Sequence, residues 1–150
     1  MGGPVTVTDP DMTRFFMSLE QAVGLIFKAA EMMHGREIFI LKMPVAKLKD
    51  IATAVIEKVK DINKINSEIP IDIIGRRHGE RMHEMLLARD ESINALEADD
   101  MFIILPDDSE VLIEDSEKLY AGVQKTTINT YESQDLDLMT VEDIKKMILL

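Results

Sequence analysis

The sequence is 150 residues long, 46% hydrophobic and 30% charged, with a formal net charge of -11. That length suits one domain, or most of one, with a buried core, and so acidic a chain argues against a general nucleic-acid surface. The absence of cysteine excludes disulfides, thiolate metal sites and cysteine nucleophiles together. No apolar run is long enough to span a bilayer, and Met1-Gly-Gly-Pro-Val lacks a signal peptide's apolar core. A soluble cytoplasmic protein with neither a membrane nor a nucleic-acid partner is expected.

Val5-Thr-Val-Thr8 is rich in β-branched residues and stops at the turn signal Asp9-Pro10, so it reads as a short strand. Met12 to Phe16 follows as a loop or second extended piece. Ser18-Leu-Glu-Gln21 has the capping-box form, and Leu19, Val23, Ile26, Phe27, Ala30 and Met33 then recur at helical spacing up to Gly35. Glu37 to Lys42 is an apolar run ended by Pro44 and reads as a buried strand. A second amphipathic helix is expected from about Val45 to Ile62, with Leu48, Ile51, Ala52, Val55, Val59 and Ile62 on its apolar face.

Ile71 to Ile74 reads as a short buried strand, followed by a tight turn at Gly75 and Gly79 and a helix from Glu80 to about Ala88. Residues 93–98 are ambiguous, a further helical turn being one reading, and Asp100 to Pro106 reads as a strand ended by proline. From Asp107 to Tyr131 turn formers rise and loop-rich chain is expected. Thr140 caps a last helix, to about residue 149, with Val141, Ile144 and Ile148 on one face. The pattern is α/β, with three or four short strands and three or four helices.

The basic cluster in Gly75-Arg-Arg-His-Gly-Glu-Arg81 stands out in an acidic chain. At a helix N-terminus, Arg76, Arg77 and Arg81 could clamp a phosphate through bidentate donors. They could equally be solvated arginines paired with Asp72, Glu80 and Glu84, and spacing alone does not separate the two readings. Arg14 is a further anion ligand or the partner of Asp9 and Asp11. His78 and His83 are five apart, so one helix face does not present both to a metal. The acidic run around Asp107, Asp108, Glu110, Glu114, Asp115 and Glu117 lacks the spacing of an EF-hand loop. There is no G-x-S-x-G, no Walker loop and no G-x-G-x-x-G.

Taken together, several segments resemble one family. Val5-Thr-Val-Thr-Asp-Pro-Asp-Met-Thr-Arg-Phe-Phe16 is similar to the "TDP-x-MTRF" segment of the inverting UDP-N-acetylglucosamine 4,6-dehydratases. These are polysaccharide-biosynthesis members of the extended short-chain dehydrogenase/reductase superfamily. Gly75 to Glu84 resembles their "G-x-RPGEKLHE" motif, and Asp90-Glu-Ser92 with Leu96 to Ile104 resembles the stretch that follows it. Tyr131-Glu-Ser133 and Leu138 to Ile148 are similar to the family's C-terminal tail.

The resemblance covers the family's C-terminal, substrate-binding lobe. It implies one nucleotide-sugar-binding domain over residues 1–150, with a loop-rich tail from about 107 and a terminal helix at about 140–149. The family's glycine-rich NADP loop and Tyr-x-x-x-Lys region lie outside this sequence. The N-terminal Rossmann domain is therefore expected to be absent, with NADP bound there and not by this chain.

The activity implied is NADP-dependent loss of water from UDP-N-acetylglucosamine with inversion at C5, which this portion could not perform alone. By the same resemblance Arg14 and Arg77 would bind the UDP pyrophosphate, Glu80 the ribose hydroxyls, and Pro4 and Val5 would flank the uracil. His78 stands where the family has proline, Arg81 where it has lysine, and Arg76 at a variable position. The implied partners are a UDP-sugar, a separate Rossmann-domain chain and further copies of this one, since a lone lobe would expose apolar surface. The other reading is a non-enzymatic UDP-sugar-binding or oligomerisation module from a truncated gene.

Overall fold

A computed structural model of the chain describes residues 3–106 and 119–148. The acidic run from Asp107 to Glu117, with the first part of the expected loop-rich tail, lies outside the described residues. The fold is mixed α/β, with three α-helices and short strands of two to four residues among the described residues. The chain divides into two compact units.

The first unit comprises Met1–Ser18, Pro44–Glu84 and Ser133–Leu150. Strand β1 (Val5–Val7) pairs in parallel with β5 (Ile71–Ile73), and β2 (Thr13–Phe15) pairs antiparallel with β4 (Val45–Lys47). Helix α2 (Leu48–Asn63) therefore starts later than periodicity suggests, because Val45–Lys47 is drawn into the ladder with β2. No side chain caps α2. Instead the Leu48 and Lys49 amides donate to the carbonyls of Met12 and Pro10, so the loop after β1 satisfies the helix end.

Helix α3 (Val141–Met147) opens as expected, with the Thr140 hydroxyl accepting from the Asp143 amide at 3.2 Å. Its far end is closed by Lys58 of α2, whose ammonium donates to the carbonyls of Lys145 and Ile148. Ala46, Ala54 and Ile144 form the buried centre, with Phe16, Ile51, Met139, Val141 and Ile148 packed around them. Strand β5 is not buried as its sequence suggests: Ile73 is 64% exposed. Among the described residues it pairs only with β1, so no second neighbour covers it.

The second unit comprises Leu19–Met43 and Met85–Glu132. Its antiparallel sheet has the order β3 (Ile38–Leu41), β8 (Met101–Ile104), β7 (Ala95–Glu97), β9 (Gln124–Lys125). All four residues of β8 are buried, as a continuous apolar run in an inner strand requires. Residues 93–98 are not a helical turn throughout: a 3-10 turn at Glu91–Asn94 passes straight into β7. A separate pair joins β6 (Met85–Leu87) to β10 (Tyr131–Glu132).

Helix α1 (Leu19–Met32) starts directly after Ser18, where the capping box places it. Its packed side is Leu25 and Met32, which meet the core of Leu96, Met101, Ile103, Leu105, Tyr120 and Val123. The stripe read from periodicity lies on the other side. Leu19 is 75% exposed, Ile26 67% and Phe27 68%. Periodicity identified a real apolar stripe, but this unit does not bury it.

Below α1, Glu37 closes the turn into β3. It accepts from the amides of His34 and Gly35 and from the Tyr120 hydroxyl at 2.7 Å. Burial works to raise its carboxyl, but the Tyr120 hydrogen bond and those amides outweigh it and hold the group at about 2. Burial first, and then the Glu37 carboxylate, push the Tyr120 phenol well up.

Candidate functional site

The residues singled out by sequence lie in the first unit, with Arg77 and Glu80 at the carboxyl ends of the parallel pair β1 and β5. Such ends are where α/β sheets place ligand-binding loops. Thr8 and Asp9 leave β1 there, and Ile74 and Gly75 leave β5, joined by the Ile74 amide donating to the Val7 carbonyl at 2.9 Å. Gly75 has φ +81, a conformation that L side chains rarely adopt, and it releases the strand into the arginine loop.

That loop is closed by a tight turn. The Glu80 amide donates to the Arg77 carbonyl at 3.1 Å, with Gly79 at φ +82. The positive φ at the third position is that of a type II turn, which demands glycine. The Glu80 carboxylate completes the closure, accepting from the Arg77 amide at 3.1 Å and from the Thr8 hydroxyl at 3.3 Å.

No helix follows. The expected helix from Glu80 to Ala88 is replaced by a strap, residues 81–84, that bends at Met82 and His83 and leads into β6. The carbonyls that would begin helical bonding are taken by a distant side chain. Arg14 donates through Nη2 to the Arg81 carbonyl at 3.0 Å and through Nη1 to the Met82 carbonyl at 3.2 Å. The Thr13 amide also donates to Met82, and the Glu84 amide turns to the Ser133 hydroxyl at 2.8 Å. The helix-terminus argument for anion binding at Glu80 therefore falls, and the site rests on side chains.

The arginines differ sharply in availability. Besides the two strap carbonyls, Arg14 donates to the Thr13 carbonyl at 2.8 Å, and its Nε lies 3.4 Å from Glu84. Its guanidinium is a clamp inside the protein, and not the partner of Asp9 and Asp11. Asp11 pairs with Lys47, which lowers its carboxyl by hydrogen bond and charge, while Arg76 approaches Asp9 at 4.0 Å. The side chains of Arg77 and Arg81 are exposed and make no hydrogen bond or ion pair among the described residues. Their expected pairing with Asp72, Glu80 and Glu84 is not formed.

Pro4 and Val5 lie at the opposite end of β1, Pro4 exposed and Val5 half-buried opposite Ile71. At about 3.3 Å per strand residue they sit roughly 10 Å from Thr8. The structure thus brings Arg77 and Glu80 together through the backbone, leaves Pro4 and Val5 at the far end of β1, and turns the Arg14 donors to backbone carbonyls. Thr8, Thr13, His83 and Ser133 were missed as contributors, although each lies inside a segment that carried the family resemblance. In the second unit an open hollow of about 390 Å³ is lined by Lys42, Glu97, Asp99 and Gln124. Its cation is already paired, Lys42 with Glu97 at 2.7 Å.

Comparison with known proteins gives this geometry a context. Residues 1–106 match the family model described as polysaccharide biosynthesis protein. The chain is 41% identical over 150 residues to an uncharacterised membrane protein of Methanocaldococcus jannaschii, covering 98% of this chain and 41% of that protein. It is 31% identical over 149 residues to a UDP-glucose 4-epimerase of Rickettsia massiliae, covering 99% and 41%. It is 37% identical over 100 residues to the inverting UDP-N-acetylglucosamine 4,6-dehydratase of Campylobacter jejuni, covering 67% and 27%. The X-ray structure of Pen from Bacillus thuringiensis superposes with a TM-score of 0.77 at 35% identity, covering 95% of this chain and 39% of that one. The chain thus spans about two-fifths of the length of the first of these relatives. Among the described residues no helix is long and apolar enough to cross a membrane.

Proposed function

This chain belongs to the polysaccharide biosynthesis protein family, and we propose on that basis that it is the UDP-sugar-binding portion of an NADP-dependent sugar-nucleotide dehydratase. The finer reading is a C5-inverting dehydratase acting on UDP-N-acetylglucosamine, supported by the motif order and by similarity to the Campylobacter enzyme. The observation that carries it is the Arg77–Glu80 turn at the carboxyl ends of a parallel strand pair, closed through the backbone so that the Arg77 guanidinium has no partner among the described residues.

Each group has a role in this reading. Arg77 supplies planar, charged donors to the diphosphate, with Arg81 adding positive charge. Glu80 keeps lone pairs for the ribose diol while the Thr8 hydroxyl and the Arg77 amide fix its orientation. Pro4 and Val5, at the opposite end of β1, stay outside this set of proposed contacts. Arg14 acts from behind, holding the strap that carries Arg81. Hydride transfer belongs to a cofactor domain of Rossmann type carrying NADP, a partner to this chain. Similarity to the Rickettsia epimerase favours a second outcome for the same bound nucleotide sugar, inversion at C4 in place of loss of water.

Calorimetric titration with UDP and UDP-N-acetylglucosamine tests the binding role directly. Weak, saturable heat is expected with both, and no heat at millimolar UDP removes the proposal.

A further inference from the structure

Three hydrogen bonds behind the strap fix a histidine that the proposed site does not yet use. The Ser133 side chain is fully buried and Thr13 is 5% exposed. Their hydroxyl oxygens are 2.6 Å apart, and Thr13 Oγ1 lies 2.8 Å from His83 Nδ1. The Glu84 amide has one proton and gives it to Ser133 Oγ. Ser133 can then donate to Thr13 Oγ1 at 2.6 Å or to the Thr13 carbonyl at 3.5 Å. The short contact is the better bond, and it leaves the Thr13 proton one acceptor, His83 Nδ1. The opposite direction would put the Ser133 proton on the 3.5 Å contact, a poor bond in a buried place. The relay therefore runs from Glu84 through Ser133 and Thr13 to His83.

A ring that accepts at Nδ1 carries its proton on Nε2 in the neutral state. The His83 Nε2 atom has no partner among the described residues, and the ring is half-buried. His83 also sits on the strap that begins directly after Glu80 and whose carbonyls Arg14 holds. We propose that His83 is a further ligand donor of this site, its Nε2–H presented to a phosphoryl or hydroxyl oxygen of a nucleoside diphosphate sugar, with Thr13 and Ser133 as the positioning residues that fix its tautomer. The inference rests on the UDP-sugar reading above and adds to it a neutral donor alongside the charge that Arg77 supplies.

Proton–nitrogen correlation spectra of the histidine rings, recorded on the whole chain at about pH 8, above the ordinary histidine range, read the tautomer without any ligand. His83 is expected to show an unprotonated Nδ1 and a protonated Nε2. The opposite tautomer, or a mixture of the two, overturns the relay. UDP is then added while the Arg77 side-chain signal and the His83 Nε2 signal are followed together. Both are expected to move with one saturation curve. Movement of Arg77 without His83 overturns this inference and leaves the UDP-sugar reading standing, and movement of neither removes both. Thr13→Val should release the tautomer and weaken UDP binding about 3- to 10-fold, the range of one hydrogen bond, and Thr13→Ser should restore both. A Thr13→Val chain that binds UDP as the parent does contradicts the positioning role. If that variant does not fold, the unsubstituted chain's own spectra decide.

Discussion

Arg77 and Glu80 hold each other through the backbone and leave the arginine side chain out of the bargain. The Arg77 amide donates to the Glu80 carboxylate, and the Glu80 amide donates to the Arg77 carbonyl, each at 3.1 Å. The turn is thus formed without the guanidinium, which remains available to a ligand. This division predicts which substitutions disturb the fold and which disturb binding.

The turn itself can be stiffened. His78 occupies the second position of the type II turn, where proline matches the required φ. Among the described residues the His78 amide donates to no backbone carbonyl outside the regular elements. His78→Pro should therefore raise stability by about 0.5–1 kcal/mol, chiefly by restricting the unfolded chain, with UDP binding retained. Denaturant melts of the two chains check it, and a lower midpoint for the proline variant would show that residues 77–78 cannot accept the ring.

Arg14 should behave as a structural residue. Its donors reach three backbone carbonyls, those of Thr13, Arg81 and Met82. Arg14→Ala strands the part-buried acceptors of Thr13 and Met82 and should cost about 1–3 kcal/mol. Arg14→Lys should recover little, because a single ammonium cannot replace the planar fork. Full recovery by lysine in a thermal melt would mean that charge, and not geometry, holds the strap.

Acid should weaken the second unit through Glu37. Its carboxyl is held at about 2 against an ordinary 4.5, so the folded form binds its proton less readily than the unfolded chain does. The stabilisation is therefore fully present above the ordinary carboxylate range, and is lost as pH falls from there through about 2. Glu37→Gln should cost about 1 kcal/mol at neutral pH and flatten the acid limb of a stability–pH curve. An unchanged acid limb would contradict the role given to Glu37.

The outward stripe of α1 predicts association. Leu19, Ile26 and Phe27 leave a continuous apolar face on one helix, of the kind that proteins cover with a partner. Alone in solution the chain should cover it with a second copy, giving a concentration-dependent oligomer in sedimentation. The double variant Ile26→Glu and Phe27→Glu should shift the distribution to monomer with helix content unchanged, since neither residue belongs to the packed core. Undiminished association would move the contact elsewhere.

Elements whose cause is local were legible in the sequence. The last helix announces itself by Thr140, and β8 by an unbroken apolar run. What was illegible depends on distant partners. The Gly79-Glu80 step looks like a helix start, yet Arg14, 68 residues before Met82 in the chain, takes the carbonyls that a helix would need. Val45–Lys47 looks like the first turn of α2 until β2 pairs with it. The stripe on α1 was legible as a stripe, but periodicity does not say what covers it. At the candidate site the motif points to Arg77 and Glu80, whereas Arg14's bonds to backbone carbonyls and the hydroxyl relay through Ser133 follow only from contacts across the fold.

The central claim is that Arg77 supplies the free anion contact while Arg14 holds the strap. Titrating UDP into the parent, Arg77→Ala and Arg14→Ala chains, each with its thermal melt, tests this most directly. The account predicts that Arg77→Ala keeps the parent's melting temperature and loses at least about tenfold in affinity, equal to about 1.4 kcal/mol. Arg14→Ala should lower the melting temperature and bind UDP only as well as its folded fraction allows. An Arg77→Ala chain that binds UDP like the parent would contradict the account.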